Sequence, residues 1–470
     1  MVSLVALVMT LGTDVTFRHH ARGSTPVAPQ ATSGPNILII VTDDQRIGTM
    51  SVMPQARYWF NETGTKFTRA YANTPQCCPS RSSLMTGQYS HNHGVVNNAQ
   101  TANLDQESTV QRYLHDSGYR TALFGKFLNS WKGSPLYFDR WAMNNGSHRY
   151  FEGKWNVDGT VQTIDTYSTD YIAEKTLEFL HETETQDEQP WYAYVSTLAP
   201  HTPAVPEPDY SGAPVSRFDP NPAMLEKSRK DKPGYVRHSE ADLDNAASTR
   251  TSQMRTLMSV DDLVADVLTE MGNLEELDNT LAVFMSDNGF LWAEHGMLGP
   301  TASKSNPYTA SIKIPLSLRW PGHILEGGID SRQVSIVDLL PTILEATGVA
   351  PDPTYPLDGS SLLQTDWSRS RIFTEYQHTP KTKTPSWASI RTPEYQYIET
   401  YGWGDIGTSP EVYGDSDDEV IQFREYYYLK SDRWQNHNVL ADKRLKNDPD
   451  VASLHRMLTR DRRCKGSTCP

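Results

Sequence analysis

The most reactive side chains in this sequence lie in residues 77–87, which read CCPSRSSLMTG. They fit the spacing C-x-P-S-R-x-x-x-x-T-G, and a pattern that fixes six positions in eleven residues is improbable by chance. A cysteine side chain can serve as the nucleophile of covalent catalysis, so Cys77 is the first candidate for chemistry. Cys78 occupies a variable position of the pattern and is expected to pack in the core.

The two adjacent cysteines also allow structural interpretations. They can be two buried apolar residues, a strained disulfide or half of a zinc site. A zinc site needs further ligands at suitable spacing, and the remaining cysteines, Cys464 and Cys469, lie at the far end of the chain. The nearby histidines at 91 and 93 have no Cys-x-x-Cys partner. The catalytic interpretation is therefore favoured.

Acidic side chains follow two apolar runs that read as buried strands. Asp43 and Asp44 follow residues 36–41 (NILIIV) after one intervening threonine, and Asp287 and Asn288 follow residues 280–285 (TLAVFM) after one serine. Each pair alone could be a helix cap or a turn. If the strand ends converge, however, the carboxylates repel one another unless a cation compensates them. An all-oxygen ligand set suits Ca²⁺ or Mg²⁺ rather than zinc.

The elements around these residues predict an α/β fold. A third apolar strand, residues 191–197, leads into His201, and an amphipathic helix around residues 257–271 precedes the second acidic pair. This alternation predicts a large, mixed, mostly parallel sheet sandwiched by helices, with ligands at the carboxyl ends of its strands.

The character of the chain changes after about residue 365. Short predicted strands at 371–376, 387–391, 395–401 and 425–429, with a helix at 451–459, indicate a smaller C-terminal antiparallel sheet plus helix. We therefore expect a segment 1–34, a catalytic domain 35–365 and a C-terminal subdomain 366–470. Residues 207–232, with prolines and mixed charges, are expected to form a long loop over the site.

Composition limits the partners and the location. The net charge of −14, without a basic stripe, argues against a nucleic acid partner and against long-range attraction of a polysulfated polymer. Residues 2–12 are apolar but too short to span a bilayer, so we expect no transmembrane anchor. They resemble part of a secretory signal, and Cys464 and Cys469 could close a small disulfide loop. An extracytoplasmic or secreted location is favoured.

The motifs together resemble the type I sulfatases of the alkaline-phosphatase-like superfamily, from about residue 35 to residue 440. In these enzymes the first cysteine of the pattern is oxidised to formylglycine, an aldehyde. One hydroxyl of its hydrate attacks sulfur, and the other then loses its proton and expels sulfate, whereas a sulfated cysteine would have no easy exit. Further matching motifs are Thr42-Asp-Asp-Gln45, Gly125-Lys126, Ala199-Pro-His201, Ser286-Asp-Asn-Gly289, Glu294-His-Gly296, Arg319-Trp-Pro-Gly322 and Asp338-Leu-Leu-Pro-Thr342.

The resemblance implies a role for each site residue. One calcium ion (Mg²⁺ is the alternative) would be bound by Asp43, Asp44, Asp287, Asn288 and the modified Cys77. Arg81 would contact the formylglycine, Lys126 and Lys304 would bind the sulfate oxygens, and His201 would lie near the leaving-group oxygen. The resemblance also implies a formylglycine-generating enzyme as a partner. Fixed cations at the sulfate would stabilise the charge that develops during transfer.

The sequence departs from the common family pattern at one catalytic position. Many sulfatases have Gly-Lys-x-His, whereas residues 125–129 read GKFLN, so Leu128 stands where a histidine would act on the attacking hydroxyl. This form resembles the N-acetylglucosamine-6-sulfatase and endosulfatase branch. The segment around Lys304 is also longer than usual, and that lysine is aligned by the following Pro307-Tyr308.

The function predicted from the sequence is hydrolysis of a sulfate monoester on a sulfated small molecule or saccharide, such as N-acetylglucosamine-6-sulfate. One alternative is an arylsulfatase or a phosphonate or phosphate monoesterase on the same scaffold, and another is a non-enzymatic carbohydrate-binding protein.

An aromatic-rich stretch could offer faces to a sugar or an aryl group, although core packing is the commoner role. Its members are Trp131, Tyr137, Trp141, Tyr150, Phe151 and Trp155.

Overall fold

The computed structural model describes residues 34–146, 148–185, 189–299, 301–380, 382–402 and 421–470. The predicted signal segment, residues 1–34, therefore lies outside the described residues except for Gly34. No helix in the described ranges is both long enough and apolar enough to cross a membrane.

A ten-stranded sheet forms the centre of the structure. Its strands are β1 (Asn36–Thr42), β2 (Thr65–Tyr71), β3 (Arg120–Gly125), β4 (Arg140–Asn144), β5 (Gly153–Val157), β6 (Thr160–Ile164), β7 (Trp191–Ser196), β8 (Thr280–Ser286), β9 (Leu316–Arg319) and β10 (Gly328–Ser335). They are ordered β10-β2-β9-β8-β1-β7-β3-β4-β5-β6. The central neighbours β8, β1, β7, β3 and β4 run parallel, whereas β9, β5 and β6 pair in antiparallel fashion. The predicted mixed, mostly parallel sheet is confirmed.

The central strands bring the predicted site to one edge of this sheet. β1 is buried along its whole length, because helices cover both faces of a parallel sheet. It pairs in register with β7 and β8, so that Val41 lies beside Ser196 and Thr42 beside Ser286. On the far side of β7, Gly125 of β3 also lies beside Ser196. The residues that follow these strands therefore emerge side by side.

Helices pack on both faces of the sheet. Alternate side chains of β1 enter two different cores, with Ile37, Ile39 and Val41 on one face and Leu38 and Ile40 on the other. The helices are α1 (Pro54–Arg57), α2 (Cys77–Thr86), α3 (Ser90–His93), α4 (Val110–Asp116), α5 (Ser168–Glu184), α6 (Gly234–Arg237), α7 (Leu243–Asn273), α8 (Thr309–Ile312), α9 (Leu339–Thr347) and α10 (Val451–Asp461). The helix predicted around residues 257–271 is the second half of α7.

The second sheet is small and antiparallel, as predicted. It consists of β11 (Ile372–Tyr376), β12 (Trp387–Arg391), β13 (Tyr395–Tyr401) and β14 (Ile421–Tyr428), and α10 follows it. The indole of Trp387 donates to the carbonyl of Ser305 over 2.9 Å. The small sheet therefore supports the loop that carries Lys304, while the proposed boundary near residue 365 stays a prediction.

Two other predicted features have clear positions. Cys464 and Cys469 form a disulfide, as expected. Residues 207–232 contain one short 3-10 turn, Pro208–Tyr210, and are otherwise irregular. Asn221 of this segment donates to Glu294, and Glu207 accepts from Ser259 of α7.

Candidate active site

The motif cysteine lies at the first turn of a buried helix. α2 begins at Cys77, and all ten of its side chains are buried. Pro79 fits in the first turn, where backbone N–H groups have no partner within the helix. The helix ends at Thr86 and is capped by Gly87, whose φ of +65° is the left-handed conformation that glycine adopts at low cost. The motif thus encodes a short helix whose positive end faces the site.

Three carboxylates converge in front of this helix. Asp43, Asp44 and Asp287 each offer one oxygen, and these oxygens lie within 4.8 Å of one another. Asp44 has a φ of +66°, which turns the chain directly after β1. Its backbone N–H donates to Asp287 Oδ1 over 3.1 Å, which fixes the two strand ends relative to each other. All three side chains are buried.

The donor set at this position fits a hard divalent cation. Asn288 donates through Nδ2 to Asp44 Oδ1 over 2.7 Å, while its own buried Oδ1 has no hydrogen-bond partner. An orphaned amide oxygen beside three carboxylate oxygens is an all-oxygen set of the kind that Ca²⁺ and Mg²⁺ prefer. Cys77 Sγ, 3.3 Å from Asp43 Oδ1, marks where a hydroxyl of the modified residue would stand.

The carboxylates have unequal affinities for protons. Burial alone would raise the pKa of Asp43, but Lys126, His201 and Arg81 hold that pKa well below its usual value. Burial and the negative charge of Asp43 raise the pKa of Asp287 to about 6, although Arg81 acts in the opposite direction. A bound cation would offset the repulsion within this cluster.

Two buried lysines complete the ring of charge around Cys77. Lys126 forms a short ion pair with Asp43, and Lys304 Nζ lies 2.9 Å from both oxygens of Asp44 and 3.3 Å from Cys77 Sγ. Burial works against both charges, but the carboxylates raise the pKa of each lysine. Both lysines therefore stay protonated at the position where a sulfate would be bound.

Arg81 connects the helix to the ends of the strands that carry the carboxylates. Its Nε donates to Asp287 Oδ2 over 2.9 Å and its Nη1 donates to the carbonyl of Lys126 over 3.2 Å. Burial lowers the pKa of this guanidinium, but Asp287 more than compensates, so Arg81 remains charged. The Nη2 atom of Arg81 is buried and has no hydrogen-bond partner.

A close approach of two strands explains the glycine before Lys126. Gly125 has a φ of +102°, and a Cβ atom there would lie 1.8 Å from the carbonyl oxygen of Ser196. Only glycine allows β3 to turn at this point, where Lys126 N–H donates to that same carbonyl over 2.8 Å. The Gly-Lys pair is therefore a device that aims Lys126 into the site.

The two cysteines differ in their surroundings. Burial and Asp43 raise the pKa of the Cys77 thiol well above its usual value, although Lys126 and Lys304 act in the opposite direction. Burial raises the pKa of Cys78 to about 11, and its Sγ accepts a hydrogen bond from the backbone of Asn129. Both are free cysteines, which excludes the strained disulfide in this structure.

His201 follows β7 and faces the same space. Its Nδ1 hydrogen-bonds to the carbonyl of Thr202 over 2.6 Å, so Nδ1 carries the hydrogen and Nε2 is turned inward, 3.7 Å from Asp44 Oδ2. Burial, and then Lys304, lower the pKa of His201. The structure thus brings together every predicted site residue: Asp43, Asp44, Cys77, Arg81, Lys126, His201, Asp287, Asn288 and Lys304.

The aromatic stretch is mainly structural. Trp155 and Tyr150 are almost fully buried in the core on one face of the sheet, so the idea that Trp155 could stack on a sugar is wrong. Trp131 is half-buried and packs edge-on against Phe127. Leu128, at the position where the family pattern has histidine, is also buried in the core.

Sequence reasoning missed one histidine at this site. His148 stacks on His201 with 4.7 Å between the ring centroids and an angle of 18° between the planes. It comes from the segment between β4 and β5 and belongs to none of the motifs named in the sequence analysis. The one hint in the sequence is that His148 lies within the aromatic-rich stretch between Trp131 and Trp155.

Several known proteins are similar to this chain. The family model described as Sulfatase matches residues 35–349. The extracellular sulfatase SULF-1 homolog of Drosophila melanogaster is 34% identical over 362 residues, which are 72% of this chain but only 32% of that protein. The N-acetylglucosamine-6-sulfatase of Homo sapiens is 29% identical, and the match covers 93% of this chain and 86% of that enzyme.

A solved structure supports the fold. BT4656, in complex with its substrate D-glucosamine-2-N,6-O-disulfate, matches with a TM-score of 0.78 at 22% identity, and the match covers 90% of this chain and 97% of that one.

Proposed function

The chain belongs to the sulfatase family, a family of sulfuric ester hydrolases, and on that premise we propose that it removes a 6-O-sulfate from an N-acetylglucosamine-type sugar. The proposal includes formylglycine at Cys77 and one calcium ion bound by Asp43, Asp44, Asp287 and Asn288. The supporting observation is the position of Cys77, which lies within 3.3 Å of both Asp43 and Lys304 at the start of α2.

The environment of Cys77 favours modification over use of the free thiol. A thiol needs a lowered pKa to act as a nucleophile near neutral pH, whereas the pKa of Cys77 is raised by burial and by Asp43. A hydrated aldehyde supplies hydroxyl groups at the same position and does not depend on a thiolate. This difference speaks against an enzyme that uses an unmodified cysteine.

The surrounding residues provide charge for sulfuryl transfer. Lys126 and Lys304 would hold the sulfate oxygens, and Arg81 would hold the nucleophile through its contacts with Asp287 and the strand ends. The cation, when bound, would supply Lewis acidity at the sulfate. The negative charge of a bound sulfate ester would favour the imidazolium form of His201, which carries a proton on the inward-facing Nε2 as well as the hydrogen that Nδ1 donates to Thr202. This form would give its Nε2 proton to the leaving oxygen as the sulfur–oxygen bond breaks and return to the neutral Nδ1–H form.

The substrate proposal depends on the relatives and on charge. The human relative is named for N-acetylglucosamine-6-sulfate, and the match covers most of both chains. The net charge of −14 disfavours a long polysulfated chain, because distant negative charges repel.

An extracytoplasmic or secreted location is part of the proposal, since the disulfide of Cys464 and Cys469 suits an oxidising compartment.

The test is a substrate panel with a chemical check of the nucleophile. Purified protein, with aldehyde content at Cys77 measured by peptide mass spectrometry, is assayed on N-acetylglucosamine-6-sulfate, a heparin-like oligomer, 4-nitrophenyl sulfate and a phosphonate monoester. We expect an aldehyde at Cys77, a thiol at Cys78 and the highest kcat/KM on the monosaccharide.

Matched variants separate the two cysteines. Cys77→Ala should abolish turnover, whereas Cys78→Ala should leave kcat within a few-fold of the parent. Full activity with an intact Cys77 thiol would refute the mechanism. Activity confined to the aryl sulfate or the phosphonate would replace the sugar assignment by one of the alternative hydrolases, and modified protein without any activity would favour a binding protein.

A further inference from the structure

His148 lies against His201, close to the proposed sulfate position. Two residues along the chain, Tyr150 is buried and donates from its hydroxyl to the carbonyl of His201 over 2.7 Å. The carbonyl of Tyr150 in turn accepts from Ser168 N–H at the start of α5 over 2.8 Å. The backbone of His201 and the segment that carries His148 are therefore tied together, and the two rings lie parallel, 4.7 Å apart.

The surroundings of His148 are those of the active site. Burial is the main reason that the pKa of His148 is lowered to about 3, and the next contributions come from Lys126 and His201, with Asp43 acting in the opposite direction. The side chain is therefore an uncharged ring close to the charges that surround Cys77. A neutral ring can stack on His201 without the repulsion that two cations would have.

His201 needs such a support because its own bonds leave one motion open. The hydrogen bond from Nδ1 to Thr202 ties one edge of the ring, but rotation about the terminal torsion of a histidine side chain is broad and weakly restricted. A flat ring at stacking distance blocks that rotation. Proton delivery to a leaving oxygen requires a fixed direction of approach, so this restriction affects the rate.

We propose that His148 is a positioning residue that holds His201 in the orientation needed to protonate the leaving oxygen. The inference rests on the proposed function, in which the imidazolium form of His201 gives its Nε2 proton to the leaving oxygen as that oxygen takes the electron pair of the sulfur–oxygen bond. His201 is then left neutral, with its hydrogen on Nδ1. Leu128, buried in the core, offers no imidazole, so the second ring of this site comes from a different segment.

The experiment uses the leaving group as its readout. A sugar alkoxide needs a proton as it leaves, whereas 4-nitrophenolate does not, so weakened proton delivery should affect the sugar sulfate far more. Because general acid catalysis typically contributes about 10²–10⁴-fold, we expect His148→Ala to lower kcat on the sugar sulfate about 10- to 100-fold and on 4-nitrophenyl sulfate by less than about threefold. His148→Phe, which keeps a flat ring, should recover most of the loss.

A double-mutant cycle tests whether His148 acts through His201. If it does, His148→Ala should have little further effect in a His201→Ala background, because contacting residues in one unit are not additive. Equal losses on both substrates, an additive double mutant, or a Phe variant as impaired as the Ala variant would overturn the proposal. The last result would assign direct substrate contact to the imidazole nitrogens.

Controls separate this inference from the proposed function. Each variant is checked for its melting temperature and for the aldehyde at Cys77, so that loss of folding or of modification is recognised. If the parent enzyme cleaves only aryl sulfates, the sugar assignment fails, but a series of aryl sulfates with leaving phenols of increasing pKa still tests His148. The rate loss should then grow as the phenol becomes more basic, and a constant loss would refute the positioning role.

Discussion

Lys304 and a bound cation should compete for the same carboxylate. Lys304 Nζ lies 2.9 Å from both oxygens of Asp44, and both groups are buried. At that separation and an effective dielectric constant of about 20, the attraction is about 6 kcal/mol before desolvation. Removing one partner of a buried ion pair typically costs about 3–5 kcal/mol, because the other charge is left uncompensated.

Lys304→Met is therefore expected to destabilise the metal-free protein by about 3–5 kcal/mol and the calcium-loaded protein by much less. Calcium would neutralise Asp44 in the variant, so the Kd of the variant for calcium should fall at least about tenfold, which corresponds to about 1.4 kcal/mol of binding free energy. The loss of a cation at the sulfate should separately lower kcat by about 10²–10³.

Isothermal titration with calcium measures the Kd, and thermal unfolding with and without calcium measures the stability. Lys66→Met is the matched control, because Lys66 is an exposed residue on β2 and its loss should change none of these quantities. Unchanged or weaker calcium binding in Lys304→Met would show that Lys304 and the cation do not share Asp44. An unchanged kcat would remove Lys304 from the sulfate site.

Three further predictions concern the metal, acid stability and the fold. Chelation should abolish activity and lower the melting temperature, and Asn288→Ala should weaken calcium binding measured by titration, because the orphaned amide oxygen is lost. Burial, and then His91, lower the pKa of His93 to about 3, so on acidification His93 takes up a proton in the unfolded chain before it does so in the folded protein. The free energy of unfolding should therefore fall as the pH drops from about 6.5 towards about 3, by on the order of 4 kcal/mol. In urea titrations at several pH values, His93→Gln should reduce this dependence of stability on pH. Arg369→Met should lower the free energy of unfolding by about 3–5 kcal/mol, because it removes two 2.6 Å bonds to the buried Asp338. The value of kcat at 25 °C should stay within about twofold, because this pair lies outside the cluster around Cys77. A larger loss of kcat in folded protein would contradict the prediction.

The sheet was predictable because its strands carry a local signature. Continuous apolar runs such as residues 36–41 can only be stable when both faces are covered, which is the condition of a central parallel strand. Asp43 and Asp287, each one residue beyond such a run, were therefore expected at one sheet edge. The structure places their oxygens within one small cluster.

Boundaries and burial were less accessible from the sequence. The strand expected at residues 425–429 extends from Ile421 to Tyr428, because pairing with β13 continues beyond the apolar run. For Trp155 the sequence left two roles open, a face for a sugar and the commoner role of core packing, since an aromatic side chain serves both purposes. Its place on β5, facing the core between the sheet and α5, decides for the core.

The sequence by itself determined the family of this protein, through the spacing around Cys77 and the acidic pairs after two buried strands. These features are local, because each motif needs only a helix start, a strand end or a tight turn to be recognised. Only the tertiary structure decided that Lys304 reaches Asp44 and that His148 stacks on His201. Such contacts join segments that are distant in the chain, and no local pattern records which distant side chains the packing of the sheet will bring together.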